Sequence, residues 1–196
     1  MKKIFFCAGL CALLFVSACR NRSQQETVVP AADSSVAEAV TPVVADENGY
    51  LVKVGDVAPD FTVELTDGTK WTLSEQRGKV VMLQFTASWC GICRQEMPHI
   101  EKRIWLRHQQ DPDFVLVGID RDEPLEKALQ LAESTGITYP LALDPGADVF
   151  ALYADRSAGI TRNVLIDKEG KIVMLTRLFK EDEFASLVGR IDKMLE

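Results

Sequence analysis

Residues 86–93 read TASWCGIC, and they lie between an apolar segment and a segment with helical character. Before them, residues 79–86 form a largely apolar run, which is typical of a strand buried on both faces of a sheet. After them, the chain from residue 91 to about residue 109 has helical character, and Pro98 is expected to kink that helix. The motif therefore lies between a buried strand and a helix, so Cys90 is expected at the first turn of the helix.

This position favours a reactive sulfur at Cys90. The first backbone N–H groups of a helix have no intrahelical acceptor, and they form the positive end of the helix dipole. Both effects favour a thiolate over a thiol and supply a nucleophile near neutral pH. Cys93 lies three residues further on and is a neighbour of Cys90 on the helix surface. It is therefore placed to attack a mixed disulfide formed at Cys90.

Two other uses of the pair, as a structural staple or as part of a metal site, have less support. A disulfide across two intervening residues closes almost no loop and stabilises little through loop entropy. A structural zinc site uses four ligands. The chain after Cys19 has no cysteine besides the pair, and its histidines, His99 and His108, are nine residues apart. We expect neither a metal nor a cofactor.

The first 19 residues form a separate segment. Lys2 and Lys3 precede an apolar run over residues 4–16, and small residues then lead to Cys19. This is the pattern of a secretory signal peptide, and the run is shorter than the roughly 20 residues that span a bilayer. Its end resembles a bacterial lipobox. We therefore predict a lipoprotein signal peptide over residues 1–18 and lipidation of Cys19; a plain signal peptide with a chance cysteine is the alternative.

The remainder divides into a tether and one domain. Residues 19–50 are predicted to be the lipidated N-terminus and a flexible tether, because residues 20–47 contain no aromatic residue and no clean periodicity. An irregular arm packed on the domain is the alternative. Residues 51–196 are predicted to form the domain. The net charge of −7 argues against nucleic acid as a partner.

The domain has alternating strand and helix patterns. Residues 61–65 and 70–73 read as a hairpin around Asp67-Gly68. Further strands are predicted at residues 114–119 and 139–143, with a second hairpin at residues 163–166 and 171–176. Helices are predicted at residues 123–134, 147–153 and 181–195. This order predicts an α/β sandwich.

Four stretches together resemble a known family. They are VGDVAPDF at 54–61, LSEQRGKVVMLQFTASWCGIC at 73–93, RQEMP at 94–98 and LIDKEGKIV at 165–173. They are similar to the TlpA/ResA-like thiol–disulfide oxidoreductases of the thioredoxin superfamily. The resemblance implies a thioredoxin fold, a three-layer α/β/α sandwich with an N-terminal β-hairpin and a central insertion. It also implies an anchored domain that faces the periplasm or another extracytoplasmic space of the cell envelope.

The resemblance also implies partners and site residues. The partners would be protein disulfides, such as those of apocytochrome c or other envelope proteins, and a membrane thiol reductant. Cys90 would be the attacking cysteine and Cys93 the resolving one. Trp89 would flank the site, and the dipeptide Gly91-Ile92 would tune the redox potential. Glu96 matches a family glutamate that helps to manage the protons of the site.

One departure from the family concerns a buried acid. Thioredoxin-like proteins place an acid six residues before the first cysteine, but Gln84 stands there in this chain. A glutamine cannot accept the proton that Cys93 must lose when it attacks. We expect Glu96, one turn after Cys93, to assist the deprotonation of Cys93 or to tune Cys90. The alternative is an exposed helix glutamate paired with Arg94 or Lys102.

The second departure concerns the loop that faces the cysteines. The family normally has a cis-proline there, and its place is taken by Thr161 in AGITRN. Because a cis bond before a residue other than proline costs about 2.5–4 kcal/mol, we expect a trans bond between Ile160 and Thr161. We expect Ile160, Thr161 and Arg162 to line the partner groove. Arg162 could also stabilise a thiolate, or could be a surface arginine.

A peroxidase relative has less support. Peroxiredoxins place a threonine or serine three residues before the reactive cysteine and a proline seven before it, and these positions are Ala87 and Leu83 here. The sequence therefore predicts a membrane-anchored extracytoplasmic thiol–disulfide oxidoreductase that reduces protein disulfides. The alternative is a partner-binding module with weak or no exchange activity.

Overall fold

A computed structural model describes residues 44–196. The predicted signal peptide, the lipidation of Cys19 and most of the predicted tether lie outside these residues. The strands are β1 Thr62–Leu65, β2 Lys70–Thr72, β3 Val80–Thr86, β4 Phe114–Arg121, β5 Leu141–Asp144, β6 Arg162–Ile166 and β7 Ile172–Arg177. The helices are α1 Gly91–Ile100, α2 Leu106–His108, α3 Leu125–Thr135, α4 Phe150–Tyr153 and α5 Glu181–Leu195.

The strands form one sheet of seven, in the order β2-β1-β5-β4-β3-β6-β7. The central strands β3, β4 and β5 are parallel to one another, while β6 and β1 pair antiparallel at either side of them. All seven residues of β3 are buried, as expected for a strand covered on both faces. The TASWCGIC motif begins at Thr86, the last residue of β3, and therefore lies where the parallel strands reach their carboxyl ends.

Alternate residues of the central strands enter two separate hydrophobic cores. Val81, Leu83 and Phe85 of β3 lie in one core with α4 and the N-terminal segment. Val80 and Met82 lie in the other core, with residues of α1, α3 and α5. This period-two alternation gives three layers, so the three-layer α/β architecture with an N-terminal hairpin is confirmed. Helix α3 and strand β5 occupy the middle of the chain, where the insertion is expected.

The helix that follows the motif changes its winding after Pro98. Helix α1 ends at Ile100, continues as a π-helical turn over Glu101–Trp105, and returns to α-helix in α2. Pro98 has no N–H to donate one turn back. The helix has about the predicted extent, and its change of winding begins three residues after Pro98.

Folded structure begins before the predicted boundary at residue 51. Tyr50 is 4% exposed within the first core, and its hydroxyl donates to the carbonyl oxygen of Thr176 at 2.6 Å. The N–H of Leu51 donates to the carbonyl oxygen of Tyr153, and Asp46 Oδ1 accepts from the N–H of Tyr50. The segment from Asp46 to Tyr50 therefore packs on the domain as an irregular arm.

Within residues 44–196, no helix is long and apolar enough to cross a membrane.

Candidate active site

Cys90 lies at the N-cap of α1, as the sequence predicts. Its backbone is extended, with φ −85° and ψ 101°, and its sulfur accepts a hydrogen bond from the N–H of Cys93 at 3.1 Å. The two cysteines are joined by a disulfide bond. An N-cap side chain that accepts from the first turn occupies the place where negative charge is best stabilised.

The two cysteines differ in exposure. Cys90 is 8% exposed and Cys93 is fully buried. Trp89, beside Cys90, is 64% exposed, and Ile92 is 39% exposed; Gly91 between them is also exposed. An incoming molecule therefore meets Cys90 within an apolar rim, whereas Cys93 lies behind it.

The loop before β6 brings Thr161 against the disulfide. Its Oγ1 lies 3.2 Å from Sγ of Cys90 and 3.3 Å from Sγ of Cys93. Thr161 and Ile160 are both buried, at 3% exposure each. The structure thus brings Thr161 to the sulfurs, where the family proline is expected to stand, but beneath the surface rather than on it.

Glu96 is buried on the inner face of α1. Its Oε1 accepts a hydrogen bond from Nδ2 of Asn163 at 2.7 Å, while Oε2 has no partner among the described residues. Burial raises the pKa of Glu96 to about 7, although Asn163 and the nearby Gln84 amide act to lower it. The alternative of an exposed glutamate does not agree with the structure. A carboxyl group that titrates near neutral pH can both accept and release a proton there.

Gln84 belongs to the same buried network. Its Oε1 accepts from the hydroxyl of Tyr139 at 2.6 Å, and Asn163 also donates to Oγ1 of Thr176 at 2.9 Å. In the register of the sheet, Gln84 lies opposite Asn163. A glutamine on β3 and a buried glutamate on the facing helix α1 thus both contact β6, through Asn163.

A pair of carboxyl groups near the motif, Asp120 and Glu123, is not predicted from the sequence. Both the N–H and the hydroxyl of Ser88 donate to the carboxylate of Glu123. Asp120, at the end of β4, is fully buried, and neither carboxyl oxygen has a partner among the described residues. Burial, followed by the adjacent negative charge of Glu123, raises the pKa of Asp120 to about 8.

A sequence signal for this pair exists. Residues at the carboxyl ends of adjacent parallel strands gather at the same edge of a sheet, and Asp120 is paired in register with Thr86. The predicted strand ends at residue 119, whereas β4 extends to Arg121 and includes Asp120.

Arg162 does not occupy the partner groove. It is fully buried, its Nε donates to the carbonyl oxygen of Gly159 at 3.0 Å, and a terminal nitrogen donates to the carbonyl oxygen of Asn48. Its guanidinium group lies 4.3 Å from the ring centroid of Tyr50. The expectations of a groove residue and of a surface arginine are both wrong, because the N-terminal arm covers this side chain.

Metal ligation has no support from the described residues. Within 44–196, no group of three or more His, Cys, Asp or Glu side chains is arranged to hold a metal ion. The two cysteines are already bonded to each other. The chemistry that this arrangement can perform is thiol–disulfide exchange, with Cys90 the more accessible of the two cysteines and Cys93 fully buried.

Comparisons with known proteins agree with this chemistry. The profile of the redoxin family matches residues 53–190. The thiol-disulfide oxidoreductase ResA of Geobacillus thermodenitrificans is 32% identical over 133 residues, which are 67% of this chain and 74% of that protein.

Two solved structures resemble this chain, and for both proteins the function is a provisional assignment. One is a protein disulfide isomerase from Bacteroides thetaiotaomicron, with 71% identity, a TM-score of 0.74, and coverage of 75% of this chain and 92% of the other. The second is the thiol:disulfide interchange protein DsbE from Chlorobium tepidum, with 28% identity, a TM-score of 0.65, and coverage of 74% and 99%.

These matches favour an enzyme over a partner-binding module, and they confirm the thioredoxin fold. The matched region contains Cys90 and Cys93 and extends through the loop of Thr161. The chain belongs to the redoxin family and is a TlpA/ResA-like thiol–disulfide oxidoreductase of the thioredoxin superfamily.

Proposed function

We propose that this oxidoreductase is anchored to a membrane on the extracytoplasmic side and reduces disulfide bonds in proteins. The observation that supports it best is the unequal exposure of the two cysteines, with Cys90 8% exposed and Cys93 fully buried. Reduction of a protein disulfide needs one sulfur that a folded partner can reach. It also needs a second sulfur that the partner cannot reach, but that can attack the first.

The reaction proceeds in two displacements. The thiolate of Cys90 attacks one sulfur of the substrate disulfide, the substrate S–S bond breaks, and its electron pair leaves on the second substrate sulfur. Cys93 then loses its proton to Glu96, and its thiolate attacks Sγ of Cys90. The mixed disulfide breaks, the first substrate sulfur leaves as a thiolate, and the Cys90–Cys93 disulfide remains. The substrate has gained two electrons from the cysteine pair. A membrane thiol reductant then supplies two electrons to the Cys90–Cys93 disulfide and restores both thiols.

The surface around Cys90 supports a protein as the substrate. Trp89 and Ile92 expose apolar area on either side of the attacking sulfur, and exposed aromatic residues are common anchors of protein interfaces. Gly91 adds no side chain between them. We therefore assign partner contact to Trp89, Gly91 and Ile92, with Ile160 and Thr161 supporting them from below. Apocytochrome c and other envelope proteins are the candidates implied by the family resemblance.

The anchor is proposed from the sequence of the first 19 residues. A signal peptide over residues 1–18 and lipidation of Cys19 would place the domain in the cell envelope, on the periplasmic or equivalent side. Replacing Cys19 by serine in the full chain tests this assignment. The variant is expected to leave the membrane fraction while its domain keeps exchange activity; a variant that stays membrane-bound would contradict the lipid anchor.

Trapping tests the exchange reaction and identifies its substrate. In a Cys93→Ser variant expressed in its native envelope, the mixed disulfide at Cys90 cannot be resolved. We expect covalent adducts that disappear on reduction, and mass spectrometry identifies the trapped proteins. Cys90→Ser is the matched control and is expected to trap none. Equal adducts in both variants, or none with Cys93→Ser, would contradict protein disulfides as the substrates.

A further inference from the structure

The hydroxyl of Thr161 touches both reacting sulfurs, and nothing in the reaction described so far uses it. Oγ1 lies 3.2 Å from Cys90 Sγ and 3.3 Å from Cys93 Sγ. The proline that the family normally has at this place would offer no side-chain donor. The substitution therefore adds a polar group at the chemical centre of the site.

The direction of this contact follows from the bonding of the sulfurs. Neither sulfur carries a hydrogen, because the two are joined in a disulfide, so the threonine hydroxyl is the donor. A hydroxyl has one proton to donate, and the two sulfurs are nearly equidistant from it. The proton can therefore turn to either sulfur with little movement of the side chain.

The strength of the contact depends on the redox state. A disulfide sulfur is a weak acceptor, whereas a thiolate accepts a charge-assisted hydrogen bond that is about twice as strong as a neutral one. Thr161 is 3% exposed, so little water competes for the hydroxyl. The contact thus stabilises the reduced, negatively charged states more than the disulfide.

We propose that Thr161 is a catalytic residue whose hydroxyl donates its hydrogen bond to whichever of Cys90 and Cys93 carries the negative charge. This inference rests on the proposed function and adds a group to it. Before the attack, the hydroxyl donates to the thiolate of Cys90. Once Cys90 is bound to the substrate and Cys93 has passed its proton to Glu96, the hydroxyl donates to the thiolate of Cys93. Thr161 keeps its own proton in both steps.

The two steps depend on Thr161 to different extents. Cys90 Sγ also accepts from the N–H of Cys93 at 3.1 Å and lies at the start of α1. For Cys93 Sγ, the recorded hydrogen-bond contact within the described residues is with Thr161. Loss of the hydroxyl should therefore slow resolution by Cys93 more than attack by Cys90.

The test compares three single variants of the reduced full-length protein. Thr161→Val removes the hydroxyl at nearly constant shape, and Thr161→Ser keeps it. Thr86→Val makes the same change at another buried threonine, whose hydroxyl contacts Met97 Sδ rather than a cysteine. Thiolate absorbance at 240 nm is followed against pH, the redox potential is measured against glutathione, and attack and resolution are timed in rapid mixing.

For Thr161→Val, we expect the midpoint of the first thiolate titration to rise by about one pH unit, a tenfold change. The same tenfold change makes the two-electron potential more negative by about 30 mV. Resolution should slow more than attack, so that mixed disulfide accumulates. Thr161→Ser should restore the wild-type midpoint, and Thr86→Val should not move it.

An unchanged midpoint and potential in Thr161→Val would overturn the inference, and so would an equal shift in Thr161→Ser, which would mean that packing rather than the hydroxyl is responsible. A wild-type protein that reduces no protein disulfide would contradict the proposed function alone. The thiolate titration would then still decide whether the Thr161 hydroxyl acts on the sulfurs.

Discussion

The carboxylate of Glu123 accepts two hydrogen bonds from Ser88, one from its backbone N–H and one from its hydroxyl. Ser88 lies two residues before Cys90, in the short connection between β3 and α1. Glu123, which lies two residues before α3 and 35 residues from Ser88 along the chain, thus fixes this connection. Its negative charge also lies beside the buried carboxyl group of Asp120. The position of the attacking cysteine and the protonation of a buried acid therefore depend on one side chain.

The charge of Glu123 should be visible in the titration of Asp120. In Glu123→Gln, the negative charge that helps to raise the pKa of Asp120 is removed, so this pKa should fall below its value of about 8. Carboxyl-carbon NMR shifts followed against pH measure it. Glu126→Gln, at an exposed position of α3, is the control and should leave the pKa of Asp120 in place. No change in Glu123→Gln would mean that burial alone sets the pKa.

Replacement of Asp120 by asparagine should change how stability depends on pH. The pKa of Asp120 is raised from 3.8 to about 8 by folding, so between these values the folded state binds more protons than the unfolded state. The free energy of unfolding therefore falls as pH rises through this window. In Asp120→Asn this contribution is absent, and the decline should be shallower and end near pH 7, where the contribution of Glu96 ends.

Urea unfolding of the oxidised protein at pH 4, 6 and 8 measures this difference. Wild type should lose more stability than Asp120→Asn between pH 6 and pH 8. Parallel curves for the two proteins would show that Asp120 titrates alike in the folded and unfolded states.

Replacement of Glu96 by glutamine should affect resolution. The pKa of Glu96 is raised to about 7, so its carboxylate form, which accepts the proton of Cys93, becomes dominant above that pH. The rate of resolution in wild type should rise through pH 7. In Glu96→Gln this rise should vanish, and the rate at pH 7.5 should drop by about 10²-fold, the lower end of general-base effects.

Rapid mixing of reduced protein with a small disulfide follows this step, with the intrinsic tryptophan fluorescence, to which Trp89 beside Cys90 contributes, as the signal. Glu133→Gln, at an exposed position of α3, is the control. If Glu96→Gln keeps the wild-type pH profile, another group accepts the proton of Cys93.

The N-terminal arm should contribute measurably to stability. Burial of an aromatic side chain the size of Tyr50 removes roughly 150 Å² or more from water, which corresponds to about 4 kcal/mol. Tyr50→Ala should therefore lower the free energy of unfolding by about 3–5 kcal/mol. Tyr50→Phe, which loses the hydrogen bonds of the hydroxyl to the carbonyl oxygens of Thr176 and Asn163, should cost about 1 kcal/mol.

Chemical unfolding of the oxidised protein measures both variants. Val44→Ala, at a residue that is 84% exposed, is the control and should change stability by less than about 0.5 kcal/mol. A Tyr50→Ala protein as stable as the control would show that the arm is not part of the folded unit in solution.

Local sequence patterns were enough to predict the centre of the site. The apolar run of β3, the cysteine spacing and the helix start together place Cys90 at an N-cap, and each of these features depends on residues close in sequence. Glu96 was identified through the family resemblance, and its position one turn after Cys93 on the same helix indicated which face it occupies. Its burial and its contact with Asn163 were not predictable, since they depend on how β6 packs below α1.

Contacts between distant segments account for what the sequence did not predict. Whether Arg162 points to solvent or to the core depends on the arm around Asn48 and Tyr50, which is more than 100 residues away. Asp120 and Glu123 reach the motif only because β3 and β4 are parallel neighbours. The π-helical turn after Pro98 was not predicted either, because a proline within a helix is compatible with more than one local geometry.

The burial of Cys93 behind Cys90 also bears on oxidative damage. A small oxidant that reaches the pair in its reduced form meets Cys90 first, and the product there is a sulfenic acid. The thiol of Cys93 lies beside it and condenses with it, which releases water and forms the Cys90–Cys93 disulfide. This disulfide is the ordinary oxidised form of the enzyme. The position of Cys93 thus allows a sulfenic acid at Cys90 to become the normal disulfide instead of being oxidised further to the irreversible sulfinic and sulfonic acids.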